Sequence, residues 1–359
     1  MQPKVVSFAS INVDEVYSIP RIVRPGETLT ATQRQQNAGG KGANASVAAA
    51  RAGAPVHVVG KIGDDGQWVV DIIEQAGANV NLVETLDDAA TGRAIIQVDA
   101  NGENAIFLHP GANHRLTEGD ARRALAQFAR GDWLLLTNET TAVAEAIALA
   151  HGAGVQVLWN PAPMHDDVLL TNSVVGMVDV LVVNESELLR LAQQTGCDTG
   201  DYEIMARRVL RELACRVVVA TLGSSGSLAL VRRPTANAHA IPIAGSSTDI
   251  SIISGSSDTD IDDIRLITMG CAPLRIDQVV DTTAAGDTWV GYFVAELARA
   301  QAESPESIGA TAALTPAMVQ RAMTVATHAA GIAVTRMGAV PSIPTRDEVE
   351  AFIRSKKHI

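Results

Sequence analysis

Short, nearly uninterrupted apolar runs alternate with segments of helical period along most of this chain. Residues 5–9, 56–59, 133–136, 155–159, 180–183 and 217–221 read as strands without a polar face, the pattern of strands covered on both sides. Between them the period lengthens. Residues 43–52 are rich in alanine, with Gly53 where a C-terminal cap belongs, and residues 142–151 and 185–194 follow strands in the same way. This alternation predicts an α/β fold: a three-layer α/β/α sandwich around a mostly parallel sheet. Ligands of such sheets bind beyond the carboxyl ends of the strands, and Asn160, Asn184 and Thr221 fall at those ends.

Two segments break the rhythm. Residues 12–36 and 92–109 alternate polar and apolar positions, and Asn101-Gly102 marks a hairpin turn in the second. They predict a small antiparallel sheet standing off the main one. Residues 233–266 are rich in Ser, Thr and Asp and read as a polar surface insertion, within which 250–253 and 264–269 could pair as a hairpin.

Composition narrows the classes of function. With 359 residues and 47% hydrophobic positions the chain can bury a large core, and only 3% of it is aromatic, so Ala, Val and Leu must build that core. A formal net charge of −12 argues against nucleic acid or an anionic membrane as partner. Cys197, Cys215 and Cys271 match neither a disulfide framework nor a metal motif and read as thiols in a reducing compartment. No signal peptide or membrane span is evident, so a cytoplasmic location is expected.

The chemistry concentrates at two distant places. Asp281-Thr282-Thr283-Ala284-Ala285-Gly286-Asp287 is a small-residue turn opening an apolar helix. Its backbone N–H groups and the helix dipole favour an anion, and Asp287 stands beside them as a base. Far upstream lies Gly39-Gly40-Lys41-Gly42-Ala43-Asn44, preceded by Asn12-Val13-Asp14 and Pro25-Gly26-Glu27-Thr28. Gly40-Lys41-Gly42 is no P-loop, which needs Ser or Thr after the Lys. Further on come Asn184-Glu185-Ser186-Glu187, Thr221-Leu222-Gly223-Ser224-Ser225-Gly226 and Val334-Thr335-Arg336-Met337-Gly338-Ala339. In this order, over nearly the whole chain, these motifs resemble the ribokinase-like family of ATP-dependent carbohydrate kinases.

The resemblance implies one kinase domain over residues 1–359, with a lid drawn from 12–36 and 92–109 that often serves as a dimer surface. It implies transfer of the γ-phosphate of ATP to O5 of D-ribose, giving ribose 5-phosphate and ADP. Asp287 matches the general base, and Ala284, Ala285 and Gly286 the anion hole. Asn12, Asp14, Gly40, Lys41, Gly42, Asn44 and Glu139, together with Asp287, match the sugar site. Asn184, Thr221, Gly223, Ser224, Ser225, Gly226, Gly286 and Asp287 match the ATP site, and Thr327 stands where the family carries Asn or His near adenine. Glu187 matches a residue acting on Mg²⁺ through water; Asp281, Thr283, Ala333, Arg336, Gly338 and Ser342 match a K⁺ site. Rival readings are another sugar or nucleoside kinase of the family, or a non-catalytic sugar-binding regulator. A dinucleotide-dependent dehydrogenase would need a Gly-x-Gly-x-x-Gly fingerprint, and residues 9–18 carry none.

Overall fold

The computed structural model describes residues 2–164, 174, 176–232, 264–270, 278–303 and 314–356. The chain opens with β1 (Val5–Phe8), β2 (Asn12–Ser18), β3 (Gln33–Gly39), α1 (Lys41–Arg51), β4 (Val56–Gly63), α2 (Gln67–Gln75), β5 (Asn79–Leu86), β6 (Gly92–Val98) and β7 (Asn104–His109). There follow α3 (Glu118–Leu125), β8 (Trp133–Leu136), α4 (Val143–Ala153), β9 (Gln156–Trp159), β10 (Val180–Asn184), α5 (Glu185–Gln194), α6 (Tyr202–Glu212) and β11 (Val217–Thr221). The last elements are β12 (Ser227–Arg232), β13 (Ile264–Met269), α7 (Ala285–Glu303), α8 (Pro316–Ala333) and α9 (Arg346–Lys356).

Nine strands form the main sheet in the order β13-β12-β11-β10-β9-β8-β1-β4-β5. It is parallel from β5 to β11, and β12 and β13 close one edge antiparallel. Apolar strands without a polar face are what this arrangement needs, because successive side chains enter different cores. Val180 and Val182 of β10 join a core with α1, α2, α7, α8 and α9, while Leu181 and Val183 join one with α3, α4, α5 and α6. The result is three layers.

Alanine replaces aromatics where helices meet most closely. A side chain at Gly291 of α7 would place its Cβ 2.3 Å from the Ala45 carbonyl oxygen and 2.5 Å from Ala48 Cβ. The backbones of α1 and α7 therefore touch across small residues.

β3-β2-β6-β7 form the separate small sheet. Its outer pairs are antiparallel, as expected, whereas β2 and β6 at its centre run parallel. Both strands continue outward from parallel strands of the main sheet, β1 and β5, and so keep a common direction. Arg93 on β6 pairs with Glu15 on β2 and with Asp65 beside the main sheet. In the β6–β7 turn Asp99 Oδ1 accepts from the N–H groups of Asn101 and Glu103, and Gly102 takes φ +83°.

Of the expected pairing of 250–253 with 264–269, only the second segment lies among the described residues. Ile264–Met269 is β13 and pairs antiparallel with β12; alternating burial against the sheet edge is available there. Residues 250–253, the rest of the insertion up to 263, and Cys271 lie outside the described residues. Cys197 and Cys215 are free thiols, and burial pushes Cys215 up to about 12. Among the described residues no helix is long and apolar enough to cross a membrane.

Candidate active site

Strand order reverses at β1. The chain moves from β1 to β4 and β5 on one side, then returns to β8 and proceeds through β9, β10 and β11 on the other. At such a switch point the connections leaving two neighbouring strands diverge and open a crevice. Ser10, Asn12 and Asp14 leave β1 there, and Glu139 leaves β8.

Glu139 ties the two connections together. Its Oε2 accepts from Ser10 Oγ at 2.6 Å and from the backbone N–H of Lys41 at 2.9 Å, so this carboxylate caps the N-terminus of α1. Ser10 Oγ in turn accepts from Gly42 N–H at 3.0 Å. Such close approach excludes side chains: a Cβ on Gly42 would lie 2.4 Å from Ala9 Cα, and Gly40, at φ +96°, would bring one to 2.6 Å from the Ser10 carbonyl oxygen.

Asn12 is 4% exposed and its Oδ1 accepts from Asn113 Nδ2 at 2.7 Å. Asn113 also accepts from Ile11 N–H at 2.9 Å through Oδ1, so a single buried amide fixes the path of the chain into β2. Ser10 and Asn113 escaped the sequence reading. Each is a polar residue in a connection, without period or motif to distinguish it, and only its long-range partners reveal its place.

Asp287 arrives from the opposite end of the sequence. Ala284, at φ +57°, turns the chain into α7, whose first-turn N–H groups lack intrahelical acceptors. A Cβ on Gly286 would meet nothing within 4 Å, so the backbone is bare to approach. Asp287 is 8% exposed, and its Oδ2 accepts from Asn44 Nδ2 at 2.8 Å. Residues 243 positions apart are thus bonded side chain to side chain.

The electrostatics follow from crowding. Burial, then the nearby charges of Glu139 and Asp287, push Asp14 up to about 7, while Lys41 opposes them. Asp287 raises Lys41 most; burial works against this, and Glu139, Glu187 and Asp14 add to it. Burial also raises Glu139 and Glu187, with Lys41 holding both down. Asp14, Lys41, Glu139, Glu187 and Asp287 therefore feel one another across one crevice.

Asn184 and Glu187 form a capping box on α5: Glu187 N–H donates to Asn184 Oδ1 and Asn184 N–H to Glu187 Oε2, both at 2.9 Å. Thr221 ends β11 and leads into an exposed turn at Gly223–Ser225, closed where Leu222 N–H donates to the Gly226 carbonyl at 2.7 Å. Thr327 is a buried residue of α8, and its hydroxyl accepts from Trp289 Nε1 of α7 at 3.3 Å.

The turn before α7 meets the one after α8. Asp281 accepts from Thr283 N–H and Oγ through Oδ1, at 2.9 and 2.6 Å, and from Gly338 N–H through Oδ2, at 2.8 Å. Burial raises this carboxyl, but those bonds together hold it below the usual range. Arg336 N–H donates to the Ala333 carbonyl at 3.0 Å, and its guanidinium pairs with Glu348. Ser342 is buried and donates to the Ala339 carbonyl at 2.7 Å.

Residues 2–248 and 267–346 match the model of the pfkB family of carbohydrate kinases. The chain belongs to this family. The kinase is 34% identical to the ribokinase of Haemophilus influenzae over 359 aligned residues, covering 98% of this chain and 99% of that one. The structure of a Cryptococcus neoformans ribokinase in complex with ADP superposes on the kinase with a TM-score of 0.73 at 30% identity, covering 98% and 99% of the two chains. That of an Arabidopsis thaliana ribokinase complexed with ribose and ATP gives 0.73 at 26% identity, covering 99% of each. The family model leaves 249–266 unmatched, inside the polar insertion.

Proposed function

We propose that the chain transfers the γ-phosphate of ATP to the 5-hydroxyl of D-ribose, yielding ribose 5-phosphate and ADP. One observation carries the reading: Asn44, behind the Gly-Lys-Gly turn, is bonded to Asp287 at the mouth of an anion-favouring helix. A polar, hydroxyl-binding wall and a base beside a phosphate cradle therefore share one crevice. Ribokinases among its relatives support the choice of sugar.

In this reading Asn12, Asp14, Lys41 and Asn44 orient the pentose, with Gly40 and Gly42 giving backbone access, and Glu139 completes the grip. Asp287 accepts the hydroxyl proton as the oxygen attacks the γ-phosphorus in line. Backbone N–H groups of Ala284, Ala285 and Gly286 stabilise the charge growing on the transferred group. Asn184, Thr221, Gly223, Ser224, Ser225 and Gly226 line the nucleotide side, with Thr327 contributing through the helix behind the base. The small sheet acts as a lid over the sugar, one part of a single kinase domain.

Among the described residues no three His, Cys, Asp or Glu side chains are grouped to hold a metal directly. This donor set fits Mg²⁺ arriving with the nucleotide and keeping most of its waters. Glu187 would meet that water shell, and the ion would neutralise phosphate charge. The loops holding Asp281, Thr283, Ala333, Arg336, Gly338 and Ser342 offer one carboxylate among backbone carbonyls, which suits K⁺. We expect faster turnover in KCl than in NaCl at matched ionic strength; equal rates would remove the monovalent site.

A second copy of the chain is the partner we assign to the small sheet. β7 is its edge strand and carries Ile106, Phe107 and Leu108 at 54%, 58% and 42% exposure, an apolar edge that water disfavours. Sedimentation velocity is expected to give a dimer, reduced to monomer by Phe107→Glu; a monomeric wild type contradicts this assignment. A cytoplasmic location goes with this reading.

The deciding experiment is a coupled ADP-release assay with ribose, 2-deoxyribose, fructose and adenosine. Ribose is expected to give the highest kcat/KM. Preference for another acceptor would reassign the substrate within the family, and no ADP release with any would favour a sugar-binding regulator.

A further inference from the structure

Asn160 stands at the carboxyl end of β9, between Glu139 beyond β8 and the Asn184–Glu187 box beyond β10. It is 8% exposed, and its backbone is fixed on both sides: its N–H donates to the Leu136 carbonyl at 2.9 Å and its carbonyl accepts from Ala162 N–H at 2.7 Å. The side-chain Nδ2 donates to the Val182 carbonyl at 2.8 Å. Because a carbonyl can only accept, this contact decides which way round the amide lies. Oδ1 is therefore turned away from the sheet. Among the described residues it has no hydrogen-bond partner, and it is not sealed from solvent.

An ordered amide oxygen without a partner among the described residues, at a strand end flanked by the strands that lead to Glu139 and Glu187, suits a hydrated cation. Water bound to a divalent ion is a strong hydrogen-bond donor, and Mg²⁺ keeps several such waters. Resting on the reading of the chain as an ATP-dependent sugar kinase, we propose that Asn160 Oδ1 accepts from a water of the nucleotide-borne divalent cation. Asn160 is then a positioning residue: it touches the water shell and sets where the ion, and the phosphates it accompanies, come to rest.

The test uses Mn²⁺ as the probe, titrated into the full-length protein with saturating ADP and no sugar, and followed by electron paramagnetic resonance. Asn160→Leu is expected to weaken Mn²⁺ binding by about 10-fold or more, the scale of a lost outer-shell partner. Asn160→Ala removes the same amide with less bulk and is expected to weaken it to a similar degree. Unchanged binding in a folded Asn160→Leu protein overturns the proposal. If that variant fails to fold, Asn160→Ala decides alone, and binding equal to wild type overturns it. Ribose affinity, measured calorimetrically without metal, should be the same in both folded variants; a loss there with Mn²⁺ binding intact would make Asn160 a sugar ligand instead. The metal titration needs no acceptor, so a wild type that leaves ribose unphosphorylated would sink the sugar assignment while leaving this inference standing.

Discussion

Asp287→Asn should lower kcat for ribose phosphorylation by at least ~100-fold, the scale of a lost general base, while leaving the fold and ribose binding nearly unchanged. The two side chains are almost equal in volume. Asp287 Oδ2 already accepts from Asn44 Nδ2, and an asparagine can turn its own oxygen toward that donor. What disappears is the second carboxylate oxygen with its capacity to take a proton. Steady-state kinetics with a thermal-unfolding control check this, and a variant turning over at a near-normal rate would mean that another group removes the proton.

Asp14→Asn should raise KM for ribose by roughly 10- to 100-fold, as expected when a hydrogen bond to a charged group is lost, and should flatten its pH dependence. Burial and the neighbouring carboxylates place Asp14 at about 7 in the folded protein, against about 3.9 in an unfolded chain. A carboxyl raised on folding favours the native state where it is protonated. Its contribution is complete below about pH 4 and is lost as pH rises toward 7, a change on the order of 4 kcal/mol by linkage. The ligand-free protein should therefore lose stability from pH 4 to 7 through this group, and the asparagine variant should lack that slope. Ribose affinity should move the other way, because only the ionised carboxyl accepts from two hydroxyls. A wild-type KM that stays constant between pH 6 and 8 would count against Asp14 as the sugar's charged acceptor.

The sheet was readable from the sequence because its strands are buried on both faces, so each run from 5–9 to 217–221 is mostly apolar. The small sheet was readable for the opposite reason, since alternation marks strands with one wet face. Its parallel centre was not, because the β2–β6 register depends on where β1 and β5 end. Nor was the pairing of β13 with β12, which joins the two sides of the polar insertion. Glycine and Asp motifs drew attention to connections that the fold brings to one crevice. The residues that brace them, Ser10 and Asn113, carry no such mark, and Thr327 reveals its bond to Trp289 only once α7 and α8 are packed.

The bare contact between α1 and α7 at Gly291 has a mechanical consequence. Two rods that touch along their spines, pinned at one end by the Asn44–Asp287 bond, have no compressible layer between them. In the proposed reaction, proton acceptor and sugar-holding turn then travel as a single casting. Motion of the proposed lid would then leave the spacing of turn and base untouched.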